Sequence, residues 1–103
     1  MEAQLKKGVL EMCVLFLIRG KEMYGYDVMK SMKRIFPEVS ESTFYAVLRR
    51  LYTAGNAEIR IDEGTGGPFR KYYKITPDGQ ESLKKGIEGW KRLCGAVSDM
   101  GIE

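Results

Sequence analysis

Arg70, Lys71, Tyr72, Tyr73 and Lys74 follow one another inside the stretch GGPFRKYYKIT, residues 66–76. Cations interleaved with phenols make a set of hydrogen-bond donors suited to an anionic partner, above all to nucleic-acid phosphates. A second such set lies upstream. In SESTFYAVLRRL, residues 40–51, the positions Thr43, Tyr45, Ala46, Arg49 and Arg50 stand apart from Phe44, Val47, Leu48 and Leu51. The latter four fall at i, i+3, i+4 and i+7, which makes one buried helix face and leaves the polar set outside. The chemistry of catalysis is missing. There is no histidine, which removes the commonest general base and metal ligand. No Gly-x-Ser-x-Gly, Walker or dinucleotide fingerprint occurs. Cys13 and Cys94 are too few and too far apart for a metal motif. Each sits in an apolar helical pattern, which assigns it to the core. No enzyme activity, metal or cofactor is expected.

The elements that must position these residues can be read from the pattern. Residues 5–18 form a helix apolar nearly all round, which has to be covered on several sides. Gly20 is its expected stop. After Tyr24-Gly25-Tyr26-Asp27, the positions Val28, Met29, Met32, Ile35 and Phe36 keep the helical period until Pro37. Tyr24 and Tyr26 stand at the start of this second helix, with Tyr26 divided between core and surface. Ser40 or Ser42 caps the third helix, and Gly55 supplies the left-handed residue after it. Residues 57–61 and 71–75 alternate as two short strands around a glycine-rich tip that Gly66, Gly67 and Pro68 shape. On the second strand Tyr73 and Ile75 face inward, and Tyr72 and Lys74 outward. Thr76 caps a last helix with Pro77 at its first position. Along it Leu83, Ile87, Trp90, Cys94 and Val97 are spaced 4, 3, 4, 3, a seam by which helices pair.

At 103 residues the chain is one domain. The expected architecture is mainly α with a two-stranded β-wing: a winged helix-turn-helix over residues 1–76 and a C-terminal dimerisation helix over 77–103, in one compact unit. The longest apolar run, VLEMCVLFLI at residues 9–18, contains Glu11 and is far shorter than the ~18 residues of a membrane span. With no signal-peptide pattern at the N-terminus, a cytoplasmic location without membrane contact is expected. Net charge is +3, which permits an anionic partner without demanding one. Residues 42–75 hold six cations (Arg49, Arg50, Arg60, Arg70, Lys71, Lys74) against three anions (Glu58, Asp62, Glu63). The whole surplus therefore lies in the third helix and the wing.

Three stretches carry a family resemblance: MYGYDVMKSM (23–32), SESTFYAVLRRLYTAG (40–55) and GGPFRKYYKITPDG (66–79). In this order and spacing the chain resembles a PadR-type transcriptional regulator, of the branch with a single short helix after the wing. The family often has Pro and Gly where Glu41 and Ser42 stand. The resemblance implies a dimeric, sequence-specific DNA-binding repressor that reads an inverted-repeat operator in double-stranded DNA. It also implies release by a small hydrophobic aromatic or drug-like effector. The residues expected on DNA are Tyr24, Ser42, Thr43, Tyr45, Ala46 and Arg49, with Arg70, Lys71, Tyr72 and Lys74 of the wing. Tyr45 matches the tyrosine of the family's Thr-hydrophobic-Tyr motif. Arg50 is read as a backbone contact or a solvated charge. The dimer interface is expected at Leu83, Ile87, Trp90, Leu93, Cys94 and Val97, and the effector at Met12, Leu15 and Trp90. Gly86, Gly89 and Gly95 weaken the last helix by roughly 1 kcal/mol each, so it should lean on a partner. The alternative is a winged-helix module that binds protein and not DNA.

Overall fold

Four helices and a small sheet follow one another as α1 (Ala3–Leu17), β1 (Met23–Tyr24), α2 (Gly25–Ile35), α3 (Glu41–Thr53), β2 (Ala57–Asp62), β3 (Arg70–Ile75) and α4 (Pro77–Asp99). The structure, a computed structural model, describes residues 3–64 and 69–103, with side chains from residue 8 onward. Gly66, Gly67 and Pro68, expected to shape the wing tip, lie outside the described residues. Among the described residues no helix is long and apolar enough to cross a membrane, and no group of acidic, cysteine or histidine side chains could hold a metal.

The core forms where the apolar faces of α1, α2 and α3 meet. Val14, Ile18, Val28, Met32, Phe44, Val47 and Leu48 are fully buried. Truncating a side chain such as Phe44 to alanine would cost about 3–5 kcal/mol. The sheet closes one side of this core through Ala57, Tyr73 and Ile75, and Leu83 of α4 closes another.

The punctuation is mostly as the sequence dictates. Ser40, not Ser42, caps α3, its Oγ accepting from the Thr43 backbone N–H at 3.3 Å. Gly55 takes φ +80° after that helix, where a side chain would be strained. Thr76 caps α4 by accepting from Gly79 N–H at 3.0 Å, with Pro77 first in the helix. Gly20 does not have the role expected of it. It has no positive φ, and α1 closes instead through the Arg19 N–H on the Phe16 carbonyl at 3.4 Å.

The wing has one strand more than the alternation revealed. β1 pairs antiparallel with β3 (Met23↔Tyr73, Tyr24↔Tyr72), so the sheet order is β1-β3-β2. Two residues are too few to show a period, and Met23-Tyr24 carries no strand signal of its own. β2 and β3 each run one residue further than expected, in the register Ala57↔Ile75 to Asp62↔Arg70.

α4 is anchored at its start and open further along. Thr76 N–H donates to the Asn56 carbonyl at 3.2 Å, and Thr76 Oγ1 to the Gly55 carbonyl at 2.7 Å. Ser82 Oγ bonds Asn56 Oδ1 at 3.2 Å. The turn after α3 is thereby tied to the first turns of α4. Gly79 permits this, since a Cβ there would fall on the Asn56 carbonyl oxygen. Beyond Ile87 the helix leaves the body of the molecule, and Trp90 and Leu93 are exposed.

Candidate nucleic-acid interface

Between α3 and the wing lies a cleft of about 570 Å³. α3 contributes Tyr45, Arg49 and Tyr52, one helical face at i, i+4 and i+7. β1 contributes Tyr24, the start of α2 Gly25 and Tyr26, β2 and β3 Ile59, Lys71 and Tyr73, and Phe69 lies just before β3. The lining holds two cations and no carboxylate. Gly25 leaves room for the Tyr73 ring, from which a Cβ there would sit 3.0 Å.

Strand alternation decides which wing residues reach this cleft. Side chains of β3 point alternately to the two faces of the sheet. Lys71 shares the face of Tyr73 and Ile75 and therefore looks toward α3. Arg70, Tyr72 and Lys74 lie on the opposite face, as expected for Tyr72 and Lys74. There an aromatic and cationic row is built: the Arg60 guanidinium over the Tyr72 ring at 4.6 Å, Tyr72 against Tyr24 at 5.7 Å, and Arg70 over Tyr24 at 5.3 Å. Lys74 stands directly across from Glu58. So Tyr24, Tyr45, Arg49 and Lys71 converge on the cleft, and Arg70 and Tyr72 adjoin it through Tyr24, whereas Lys74 stands apart, across from Glu58.

At the α3 N-terminus Ser42 is exposed, and Thr43 and Ala46 are half-buried. The Thr43 hydroxyl is shared with Ser40 at 2.8 Å and the Ser42 hydroxyl with Ser40 at 3.1 Å. Two of the six counted cations are neutralised by carboxylates from outside that segment. Arg50 binds Glu11 of α1 at 2.9 Å, and Arg60 binds Glu22 at 2.7 Å. The Glu22 carboxyl is held below its ordinary value, first by the Arg60 hydrogen bond. Arg50 is thus an internal tie between α3 and α1, where the sequence suggested a backbone contact or a solvated charge.

Burial pushes the Tyr45 hydroxyl up, with smaller contributions from Glu41, Tyr24 and Tyr26. Burial likewise pushes up Tyr73, whose hydroxyl also senses Tyr45 and Arg49. Both therefore stay protonated donors at neutral pH.

Tyr52, Tyr26 and Phe69 are cleft residues that sequence reasoning missed. Tyr52 was visible, being one further step along the Tyr45–Arg49 face. Tyr26 was left between core and surface and proves exposed, because Val28, Met29 and Met32 already fill the buried face of α2. Phe69, exposed beside the wing tip, carried no signal.

The other expected sites divide. Leu83 is buried in the chain's own core and Ile87 packs against it, so these two seam positions serve the fold of the single chain. Trp90, Leu93 and Cys94 are exposed and Val97 is half-buried. Cys94 is therefore not a core cysteine, because α4 has left the body by that point. A groove of about 330 Å³ between α1 and α4 is lined by Val9, Met12, Gly86, Trp90 and Leu93 among others. It joins Met12 with Trp90 as expected. Leu15 does not reach it, being buried among core side chains on another face of α1.

A three-helix core with α3 presented beside a β-wing defines a winged helix-turn-helix protein. Comparison with known proteins narrows this. Residues 14–85 match the transcriptional regulator PadR-like family. An uncharacterised protein of Lysinibacillus sphaericus is 30% identical over 90 residues, which cover 84% of this chain and 83% of that protein. A PadR-like transcriptional regulator from Bacillus cereus superposes with a TM-score of 0.80 at 34% identity, over 95% of this chain and 96% of that one. A PadR-like transcription factor from Bacteroides fragilis gives 0.82 at 34% identity, over 95% of each chain. A transcriptional regulator from Streptococcus gives 0.84 at 31% identity, over 97% of this chain and 99% of that one. The chain belongs to the PadR-like family of transcriptional regulators.

Proposed function

We propose that the chain acts as a homodimeric repressor that binds an inverted-repeat operator in double-stranded DNA and is released by a small hydrophobic aromatic effector. The observation that carries the DNA reading is the cleft. α3 and the wing bring Tyr45, Arg49 and Lys71 to one carboxylate-free surface. In this reading α3 enters a major groove with Ser42, Thr43, Tyr45 and Ala46 toward base edges and the adjoining phosphates, and Arg49 behind them. Lys71 takes a phosphate. Arg70 and Tyr72 extend that surface through their contacts with Tyr24, and Lys74 meets the duplex only where the wing edge turns toward it. A carboxylate-rich or purely apolar α3 face would instead favour a protein partner.

One domain reads few bases, so a twofold partner supplies the second half-site. Trp90, Leu93, Cys94 and Val97 are the surface offered to it, adjoining Val9 and Met12 of α1. The effector sits in the same groove, with Trp90 stacking on a planar ring. Glu11, beside Met12, holds Arg50 of α3, so a shift of α1 is felt at the recognition helix. Light scattering after size exclusion should return twice the chain mass at micromolar concentration, and a monomer would sink the dimer. Trp90 is the sole tryptophan, so quenching of its emission by planar hydrophobic compounds tests the groove. A broad panel without effect would remove the effector.

A further inference from the structure

Five of the chain's six tyrosines line one cleft: Tyr24, Tyr26, Tyr45, Tyr52 and Tyr73. Tyr26 and Tyr52 are 47% and 52% exposed, so neither is there to fill the core. Among the described residues no tyrosine hydroxyl is committed to another side chain or carbonyl. The hydroxyls of Tyr45 and Tyr73 are held protonated, so they offer hydrogens and no negative charge. No carboxylate lines the space, and Arg49 and Lys71 stand at its sides. Neutral donors, ring faces and two cations match a sugar-phosphate chain: phosphate oxygens accept from hydroxyls, and deoxyribose packs on rings.

The location agrees with the chemistry. When a recognition helix and a wing engage adjacent parts of one duplex, the backbone strand between those parts must pass between the two elements. Here that passage is the tyrosine cleft, with α3 on one side and Lys71 and Phe69 of the wing on the other.

We propose that this cleft seats one sugar-phosphate strand of the duplex, gripped chiefly by uncharged tyrosine hydroxyls, with Tyr26, Tyr52 and Phe69 as members of the site. This rests on the DNA-binding reading above. It has a consequence that a merely basic surface lacks. A phosphate neutralised by a cation releases counterions, so each such contact steepens the dependence of affinity on salt. A hydroxyl contact releases none. Most of the grip on this strand therefore survives rising salt, and loss of a tyrosine hydroxyl weakens binding without changing the salt slope.

The experiment is fluorescence anisotropy with labelled duplex from the protein's own upstream region and a scrambled duplex, over a salt series. Wild type is compared with Tyr26→Phe, Tyr52→Phe and Lys71→Ala. The phenylalanine variants keep ring and fold, which circular dichroism and unchanged melting verify. Each should weaken binding by about 3–10-fold, the range of one lost hydrogen bond. The loss should be equal on both duplexes and leave the slope of log K against log salt unchanged. Lys71→Ala should flatten that slope by about one. If both phenylalanine variants bind as wild type while Lys71→Ala still weakens binding, the strand does not lie in the cleft, although the protein binds DNA. A slope altered by Tyr26→Phe or Tyr52→Phe would equally overturn the proposal. If wild type binds neither duplex, the DNA reading fails and the strand seat with it.

Discussion

Gly79→Ala should be among the most damaging conservative substitutions in the chain. The added Cβ would fall on the Asn56 carbonyl oxygen and lie 2.9 Å from Ile75 Cγ1. One obstacle is backbone and the other a buried side chain, so neither yields by a simple rotamer change. The first turn of α4 has to retreat. That loosens the Thr76 N–H bond to Asn56, the Thr76 Oγ1 bond to Gly55 and the Ser82–Asn56 bond. Each is worth about 1 kcal/mol net, and they share one hinge, so their losses overlap. Overpacking of this kind costs about 1–3 kcal/mol, and alanine returns up to about 1 kcal/mol in helix propensity. With the overlapping bond losses counted once, at about 1 kcal/mol, the net expectation is a loss of about 1–3 kcal/mol from a domain whose whole stability is about 5–15 kcal/mol. Urea unfolding at one fixed protein concentration, followed by far-UV circular dichroism, measures it. In a thermal scan the fall should be of the order of 10 °C. Gly95→Ala is the control. A Cβ there meets nothing within 4 Å, so it should stabilise the isolated helix by up to about 1 kcal/mol. A Gly79→Ala protein within about 0.5 kcal/mol of wild type would refute the claim that α4 is clamped to the turn after α3.

Leu93→Asp places a charge on the exposed seam of α4 and should turn the proposed dimer into monomer in light scattering without lowering helix content. A variant that remains a dimer would move the interface elsewhere. In that monomer Cys94 should react with a thiol reagent much faster than Cys13, whose half-buried thiol is pushed up by burial. Mass spectrometry after brief labelling reads the ratio, and equal rates would contradict the placement of α1 and α4. Glu22 is held below its ordinary value by Arg60, so its contribution to stability is present above the unfolded carboxylate value, about 4.3, and is lost as pH falls through the lower folded one. Glu22→Gln should therefore melt with a shallower dependence on pH between about 5 and 3 than wild type, and an identical dependence would show that the pair contributes nothing.

Helices and caps were legible because their signals are local. Phe44, Val47, Leu48 and Leu51 announce a buried face by spacing alone, and Ser40, Gly55 and Thr76 each have one physical task at their positions. β1 was hidden, since two residues have no period and pair only because β3 is brought beside them. The seam on α4 was read as one surface. Its spacing is real, but the seam crosses from the chain's own core at Leu83 to exposed surface at Trp90. Periodicity gives a face and not what covers it. The charge count failed at Arg50 and Arg60 for a related reason: their partners, Glu11 and Glu22, are 39 and 38 residues away in sequence and meet them only in the fold. The cleft was half visible. Tyr45, Arg49 and Lys71 were expected on DNA; Tyr52 was one helical step further and was passed over.

In the proposed function α3 and the wing together hold DNA. The most direct test is the binding of wild type, Tyr45→Ala and Lys71→Ala to labelled duplex from the protein's own upstream region, against scrambled duplex, across a salt series. Tight binding to its own region, weakened by salt and by both substitutions, is the predicted result. Equal, weak binding to both duplexes, indifferent to Tyr45, would contradict it and reduce the cleft to a basic surface.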